Sequence, residues 1–329
     1  MRASVSRLLS LAPGLLALAI TPVAQTGYAQ AYPARPVRLV APFPAGAGID
    51  AAARVLAQKL TDVWGQPVIV DNRPGASANI GAEIVARSLP DGHTLLLTNN
   101  ALAISAALNP GLSNRALRDL YSVTQVLRSY YVLIVPASFQ AKSVGELISL
   151  AKARPGELAY GSAGVGSGPH LAAVLFGSVA GVSLHHVPYK GGGPMLPDLI
   201  AGRIQIFFTP STTIMPHVRA GRLRALGVTA PKSLPALPGI PAIAEAGVPG
   251  YEVTTWFLLL VAAKTPDAIV GKIHNDVVAV LRQPEVIKAL GGEGSELVGS
   301  TPVEAAALLE REVTLWTTVI RDAGLKPTD

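Results

Sequence analysis

The sequence predicts an α/β protein of two lobes, each a sheet flanked by helices. Three observations carry this. Strands and helices alternate along the chain after residue 31, which argues for parallel sheets with helices on both faces. The length of 329 residues suffices for two cores. One plan also occurs twice: Val37–Leu60 (VRLVAPFPAGAGIDAAARVLAQKL) and Leu158–Gly177 (LAYGSAGVGSGPHLAAVLFG) each read as an apolar strand, a glycine-rich loop and an Ala/Leu/Val helix. A glycine loop opening onto a helix N-terminus presents unpaired N–H groups at the positive end of a dipole, which is a receptor for an anion.

Hydrophobic residues make up 50% of the chain and charged residues 15%, below the usual quarter, so the chain is globular and well buried. Residues 1–31 read as a secretory leader. Arg2 and Arg7 form its positive end, Leu8–Ile20 its apolar stretch, and small-residue cleavage sites follow at Gly27-Tyr28-Ala29 or Ala29-Gln30-Ala31. Removing both arginines with the leader takes the net charge from +6 to +4. The remaining basic residues are scattered, which disfavours a nucleic-acid partner. There is no cysteine, hence no disulfide, lipidated cysteine or thiolate metal site. A soluble periplasmic protein is expected.

The elements follow in order. Val37–Ala41 is a strand. Ala51–Trp64 is a helix capped by Asp50 and stopped by Gly65, with Val55, Leu56, Leu60 and Val63 on one face. Val68–Val70, Thr94–Thr98 and Val132–Val135 are strands, and Asn79–Leu89 is a helix. Ser143 to Glu146 is a capping box for a helix that Pro155-Gly156 ends. Beyond the second glycine loop, His185–Tyr189, Ile204–Phe208, Leu223–Val228 and Val253–Ala262 are strands. Thr265-Pro266 and Thr301-Pro302 each place a cap and an N1 proline before helices, the last ending at Gly324. The chain is expected to cross between lobes near Val135–Ser138 and Thr254–Ala262. That divides it into residues 32–136 plus 257–329 and residues 137–256.

In the first loop the candidate binding residues are Phe43, Ala45, Gly46, Ala47, Gly48, Ile49 and Asp50, and the claim rests on the N–H groups of Gly46–Ala51. The loop also fits G-x-G-x-x-A with Asp71 at a following strand end. Against a dinucleotide stand Pro42-Phe43-Pro44 between strand and glycine, a long spacing to the acid, and export from the cytoplasm. In the second loop the candidates are Ser162, Ala163, Gly164, Gly166, Ser167 and His170. Ser167 either donates to an anion or caps its helix; His170 either donates or packs. Neither serine sits in a G-x-S-x-G elbow. Lys190 is either a rim charge or a solvated lysine. Ser77 and Asn79 after a turn, and Asn99 and Asn100 after a strand, are further polar candidates, though such residues usually serve the turn itself. Adjacent strand residues His185 and His186 face opposite ways, and no other histidine has ligand spacing, so neither a metal nor a cofactor is expected.

The segments YPARPVRLVAPFPAGAGID, GQPVIVDNRPGASANIGAEIVA, PDGHTLLL, AKARPGELAYGSAGVGSGPHLAA, HVPYKGGGPMLPDLIAGRI, LRALGVT and EAGVPGYEVTTW, in this order, resemble the periplasmic solute-binding receptors of tripartite tricarboxylate transporters, the Bug or TctC-like receptors. The resemblance covers nearly the whole mature chain. It implies a Venus-flytrap protein, not an enzyme, that closes as a monomer on a small carboxylate and hands it to membrane transporter subunits. The family's gripping loops align on Phe43–Asp50 and Ser162–His170. The chain departs from the family at Thr209-Pro210, where many relatives have Asp-Asn, and at Ala262–Pro266. It departs also at Ala45, Ala47 and Ile49, where proline, glycine and threonine are frequent. These changes bear on which ligand is bound, and loss of an acid at Thr209 disfavours a ligand with an ammonium group. The rival classes are a periplasmic hydrolase, a nucleotide-dependent oxidoreductase, and a receptor that senses rather than transports.

Overall fold

The computed structural model describes residues 32–109, 111, 117–189, 192–292 and 294–325. Residues 1–31, expected to be a leader, and Lys190 lie outside the described residues. The first half of the chain forms β1 (Val37–Ala41), α1 (Gly48–Trp64), β2 (Val68–Asn72), α2 (Asn79–Ala86), β3 (Thr94–Asn99), α3 (Ala101–Leu108) and β4 (Leu120–Pro136). There follow α4 (Val144–Ala153), β5 (Ala159–Ser162), α5 (Gly168–Ala180), β6 (His185–Pro188), α6 (Gly192–Ile200), β7 (Ile206–Pro210), α7 (Ser211–Arg219) and β8 (Leu223–Val228). The chain closes with β9 (Thr254–Ala262), α8 (Asp267–Leu281), α9 (Pro284–Leu290), β10 (Ser295–Leu297) and α10 (Pro302–Asp322).

The strand order is β2-β1-β3-β9-β4-β7-β5-β6, with β8 and β10 also paired to β4. Only part of this is parallel. β1 pairs parallel with β2 and β3, and β5 with β6 and β7. β9, β10, β7 and β8 all run antiparallel to β4, and β9 antiparallel to β3. The expected all-parallel sheets are therefore mixed. β-α-β crossovers make the parallel pairs, whereas β4 and β9 run alongside each other in opposite directions between the two halves.

β4 is far longer than the Val132–Val135 strand expected from sequence. Its first stretch carries Ser122, Thr124, Gln125 and Ser129, which break the apolar run yet are buried. The Thr124 and Ser129 hydroxyls find partners here, as does the main chain at Gln125. Thr124 Oγ1 donates to Ser300 O at 2.7 Å, the Gln125 N–H donates to Ser300 Oγ at 2.9 Å, and Ser295 Oγ donates to Ser129 Oγ at 3.2 Å. β4 pairs with β9 through Tyr130 and with β7 and β8 from Tyr131 onward. The exchange between half-sheets thus lies earlier than Val135–Ser138, where β4 is already paired with β8. This is the two-lobe arrangement, with one strand shared.

In α1, Ile49, Ala53, Leu56, Leu60 and Trp64 form the buried stripe. Each large side chain among them contributes about 1.5–3 kcal/mol on burial. Val63, expected on this face, is 47% exposed, because Trp64 takes the core position in the last turn and donates through Nε1 to Asp276 Oδ2 at 2.6 Å. Gly65 ends the helix in the left-handed region, as its position suggests. The N-terminal cap differs from expectation. α1 begins at Gly48 with Ala47 as N-cap, so Asp50 sits inside the first turn. Pro266, not Thr265, is the N-cap of α8, while Thr265 Oγ1 donates back to Ala262 O. At Ser143 the hydroxyl accepts the Glu146 N–H, but the Glu146 carboxylate takes the Lys142 N–H. α10 has a complete capping box: Thr301 Oγ1 accepts the Glu304 N–H and Glu304 Oε2 accepts the Thr301 N–H. Thr301→Ala removes this exposed cap and is expected to lower unfolding free energy by about 1 kcal/mol, read from the denaturant midpoint at unchanged slope.

Candidate functional site

Four helices begin at one cleft of about 500 Å³. Each follows the carboxyl end of a strand: α1 after β1, α3 after β3, α5 after β5 and α7 after β7. Their first residues border it: Ala47 and Gly48, Asn100 and Ala101, Ser167 and Gly168, and Pro210. Two of these helices belong to the half-sheet of β1 and two to that of β5, so the cleft lies between the lobes.

Each glycine loop is braced from behind. Asp50 is 3% exposed; its Oδ2 accepts the Gly46 N–H at 2.9 Å and Arg54 Nε at 3.0 Å, and its Oδ1 accepts Asn72 Nδ2 at 2.9 Å. The Arg54 hydrogen bond first, then those from Gly46 and Asn72, holds the carboxyl down to a pKa of about 2. Asn72 Nδ2 also donates to Phe43 O at 3.1 Å. In the second loop the Gly166 N–H donates to His170 Nδ1 at 3.1 Å and the Gly164 N–H to Ser162 Oγ at 3.1 Å. Ser167 is the N-cap of α5: its hydroxyl accepts the His170 N–H and donates to Gly164 O at 2.7 Å.

These bonds narrow the donors. The sequence reading spans the N–H groups of Gly46–Ala51 in the first loop, but Gly46 and Ala51 spend theirs on Asp50 Oδ2 and Ala47 O, and Gly164 and Gly166 spend theirs within the second loop. The donors without an intrahelical acceptor are the first-turn amides, Gly48, Ile49 and Asp50 in α1 and Gly168 in α5.

Of the sequence candidates, Phe43, Ala47, Gly48, Ile49, Asn99, Gly166 and Ser167 line the cleft. Ala45 and Gly46 are exposed at the loop tip, and Asp50 lies behind it. Ser162 is fully buried, with its hydroxyl against Gly164 and 2.7 Å from His186 Nε2. Ala163 and Gly164 stand outside the lining, Thr209 is buried in β7, and Ser77 is exposed outside the cleft. His170 is 2% exposed and packs against His186 at a 35° tilt, with ring centroids 4.2 Å apart, and His186 in turn stacks on Tyr160 at 4.9 Å. Burial, and then the neighbouring His186, lowers the pKa of His170 to about 4, so it packs as a neutral ring rather than a cation.

The structure adds residues that sequence reasoning did not select. Ser129, Tyr131 and Thr255 line the cleft alongside Asn100, which the sequence does mark. Tyr131 follows the point where β4 changes half-sheet, and burial pushes its hydroxyl up to about 12. The Asn100 carboxamide and Thr255 hydroxyl flank that hydroxyl. A Cβ on Gly168 would collide with Tyr131 Oη, so only glycine lets α5 approach β4 this closely. Asn100 is 4% exposed, and its Nδ2 makes no hydrogen bond. The one signal in sequence was its place after strand β3, where Asn99 stands equally well.

The sequence profile described as tripartite tricarboxylate transporter family receptor matches residues 52–325. The chain belongs to this receptor family. It is 35% identical over 300 residues to protein BugT of Bordetella pertussis, covering 91% of this chain and 92% of BugT. Among solved structures, Rpa4515 of R. palustris with adipate superposes at TM-score 0.78 with 36% identity, covering 90% of this chain and 100% of that one. MatC of Rhodopseudomonas palustris with bound malate superposes at TM-score 0.74 with 29% identity, covering 88% and 100%. The chain has the two-lobe periplasmic-binding-protein fold of these receptors. Among the described residues, no helix is long and apolar enough to cross a membrane.

The histidine stack gives a pH dependence with a definite sign. Folded His170 resists protonation until about pH 4, whereas an unfolded histidine takes a proton near 6.5. Its contribution to stability is therefore whole above about pH 6.5 and is lost as pH falls towards about 4. His186, also lowered by burial, acts in the same sense. Thermal unfolding of the wild type is expected to fall over this range, and His170→Gln to flatten the fall.

Proposed function

We propose that the protein is a periplasmic receptor that captures a small carboxylate between its lobes and delivers it to the membrane subunits of a tripartite tricarboxylate-type transporter. The observation that carries this is the convergence of four helix N-termini on a cleft that no charged side chain lines among the described residues. Each N-terminus holds about half a positive charge from its helix dipole. Such a site receives an anion without a counter-ion, and closure strengthens it by removing water. The ligands of two relatives, adipate in Rpa4515 and malate in MatC, support a carboxylate.

In this reading the Gly48 and Ile49 amides act from one lobe and the Gly168 amide from the other. Residues 32–136 with 257–329, and residues 137–256, are the proposed lobes. They hinge where β4 changes partners at Tyr130–Tyr131 and where β9 begins. Residues 1–31 direct export and are removed, and the mature receptor works as a monomer. Binding without catalysis is supported by Ser162, whose hydroxyl faces His186 and yet is fully buried behind its loop.

Gly48→Leu tests the reading cleanly. Gly48 has no atom within 4 Å of a built Cβ and no positive φ, so the variant is expected to fold. Its side chain then projects from the first turn of α1 at the cleft. Calorimetric titration is expected to lose at least a hundredfold in carboxylate affinity at nearly unchanged melting temperature. Wild-type affinity in this variant contradicts the assignment of α1.

A further inference from the structure

We infer that the cleft selects carboxylates whose body is apolar, a methylene chain or an aromatic ring bare of hydroxyl and ammonium groups. This rests on the receptor reading and narrows it to a ligand class.

The argument begins with which polar atoms are still free. An ammonium group needs an acidic partner, and none lines the cleft among the described residues. The nearby acid of the first loop, Asp50, has both oxygens occupied by Gly46, Arg54 and Asn72. Ligand hydroxyls need acceptors, and the carboxamide and serine oxygens of the lining are already engaged. Asn99 Oδ1 accepts the Ala101 N–H at 2.9 Å, Asn100 Oδ1 accepts Thr255 Oγ1 at 3.4 Å, and Ser129 Oγ accepts from Ser295. The Ser167 hydroxyl bridges Gly164 O and the His170 N–H.

What is left over donates. Asn100 Nδ2, on a side chain 96% buried at the cleft, has no acceptor, and the first-turn amides of α1 and α5 have no intrahelical one. A site rich in unused donors and poor in unused acceptors suits carboxylate oxygens and nothing that must itself donate. The rest of the wall is hydrocarbon: Phe43, Ile49, Ile104, Leu127 and Phe257. A hydroxyl or ammonium carried between them loses its water without replacement.

The test keeps the carbon skeleton and both carboxylates fixed. Ligand-free protein is titrated calorimetrically with adipate, 2-aminoadipate and galactarate, with benzoate and malate alongside. Adipate or benzoate is expected to bind at least about tenfold more tightly than any of the three substituted acids, the cost of burying one unpaired polar group. Phe43→Asn is expected to lower affinity for the preferred acid by about tenfold and to narrow its lead. Tightest binding by galactarate, 2-aminoadipate or malate overturns the inference while leaving the receptor reading in place. No binding by any of the five acids overturns both.

Discussion

Strand β4 is the constraint on which the rest of the molecule depends. Its 17 residues run through both half-sheets, pairing with β9 and β10 over the first stretch and with β7 and β8 over the second. Every ladder bond it makes in one lobe fixes the direction in which it enters the other. Tyr131 sits just past the exchange, buried, with α5 pressed against its hydroxyl and Asn100 and Thr255 beside it. The first turns of α3 and α5, which come from opposite lobes, therefore meet around one side chain of the shared strand.

The helix N-termini would be weak receptors if their loops were loose. Each loop instead closes onto its own helix through an acceptor in the first turn, Asp50 for the first and His170 for the second, and the second is also tied to its strand end at Ser162. The two braces differ chemically. The first is a buried carboxylate paired with Arg54, so its charge is answered behind the loop and leaves the cleft without net negative charge. The second is a neutral imidazole within an aromatic stack, which adds no charge at all. Preorganised donors cost little to arrange when a ligand arrives, which is how an uncharged lining can hold an anion.

Much of this was legible in the chain. The repeated strand–glycine–helix plan located two of the four helix starts, because glycine runs and caps leave a local signature. The order of motifs also identified the family. What escaped was set by tertiary partners. β4 extends far beyond the expected Val132–Val135 because its first stretch, with polar Thr124 and Gln125, is held as strand by partners distant in sequence, β9 in the ladder and Ser300 at its side. Asp50 read as a cap because acid before an apolar run usually is one; its role as a brace depends on Asn72 and on where Gly46 turns. Tyr131, Ser129 and Thr255 have no local motif, since the cleft gathers them from β4 and β9 only after the sheet forms.

The central claim is that main-chain amides at opposing helix starts hold the ligand. The most direct measurement is an amide-resolved NMR titration of the isotope-labelled mature protein with the carboxylate that binds most tightly. The account predicts saturable, large downfield proton shifts at Gly48, Ile49 and Gly168, reached together at one dissociation constant. Saturable binding that leaves those three amides unmoved, with shifts at other residues alone, would contradict it.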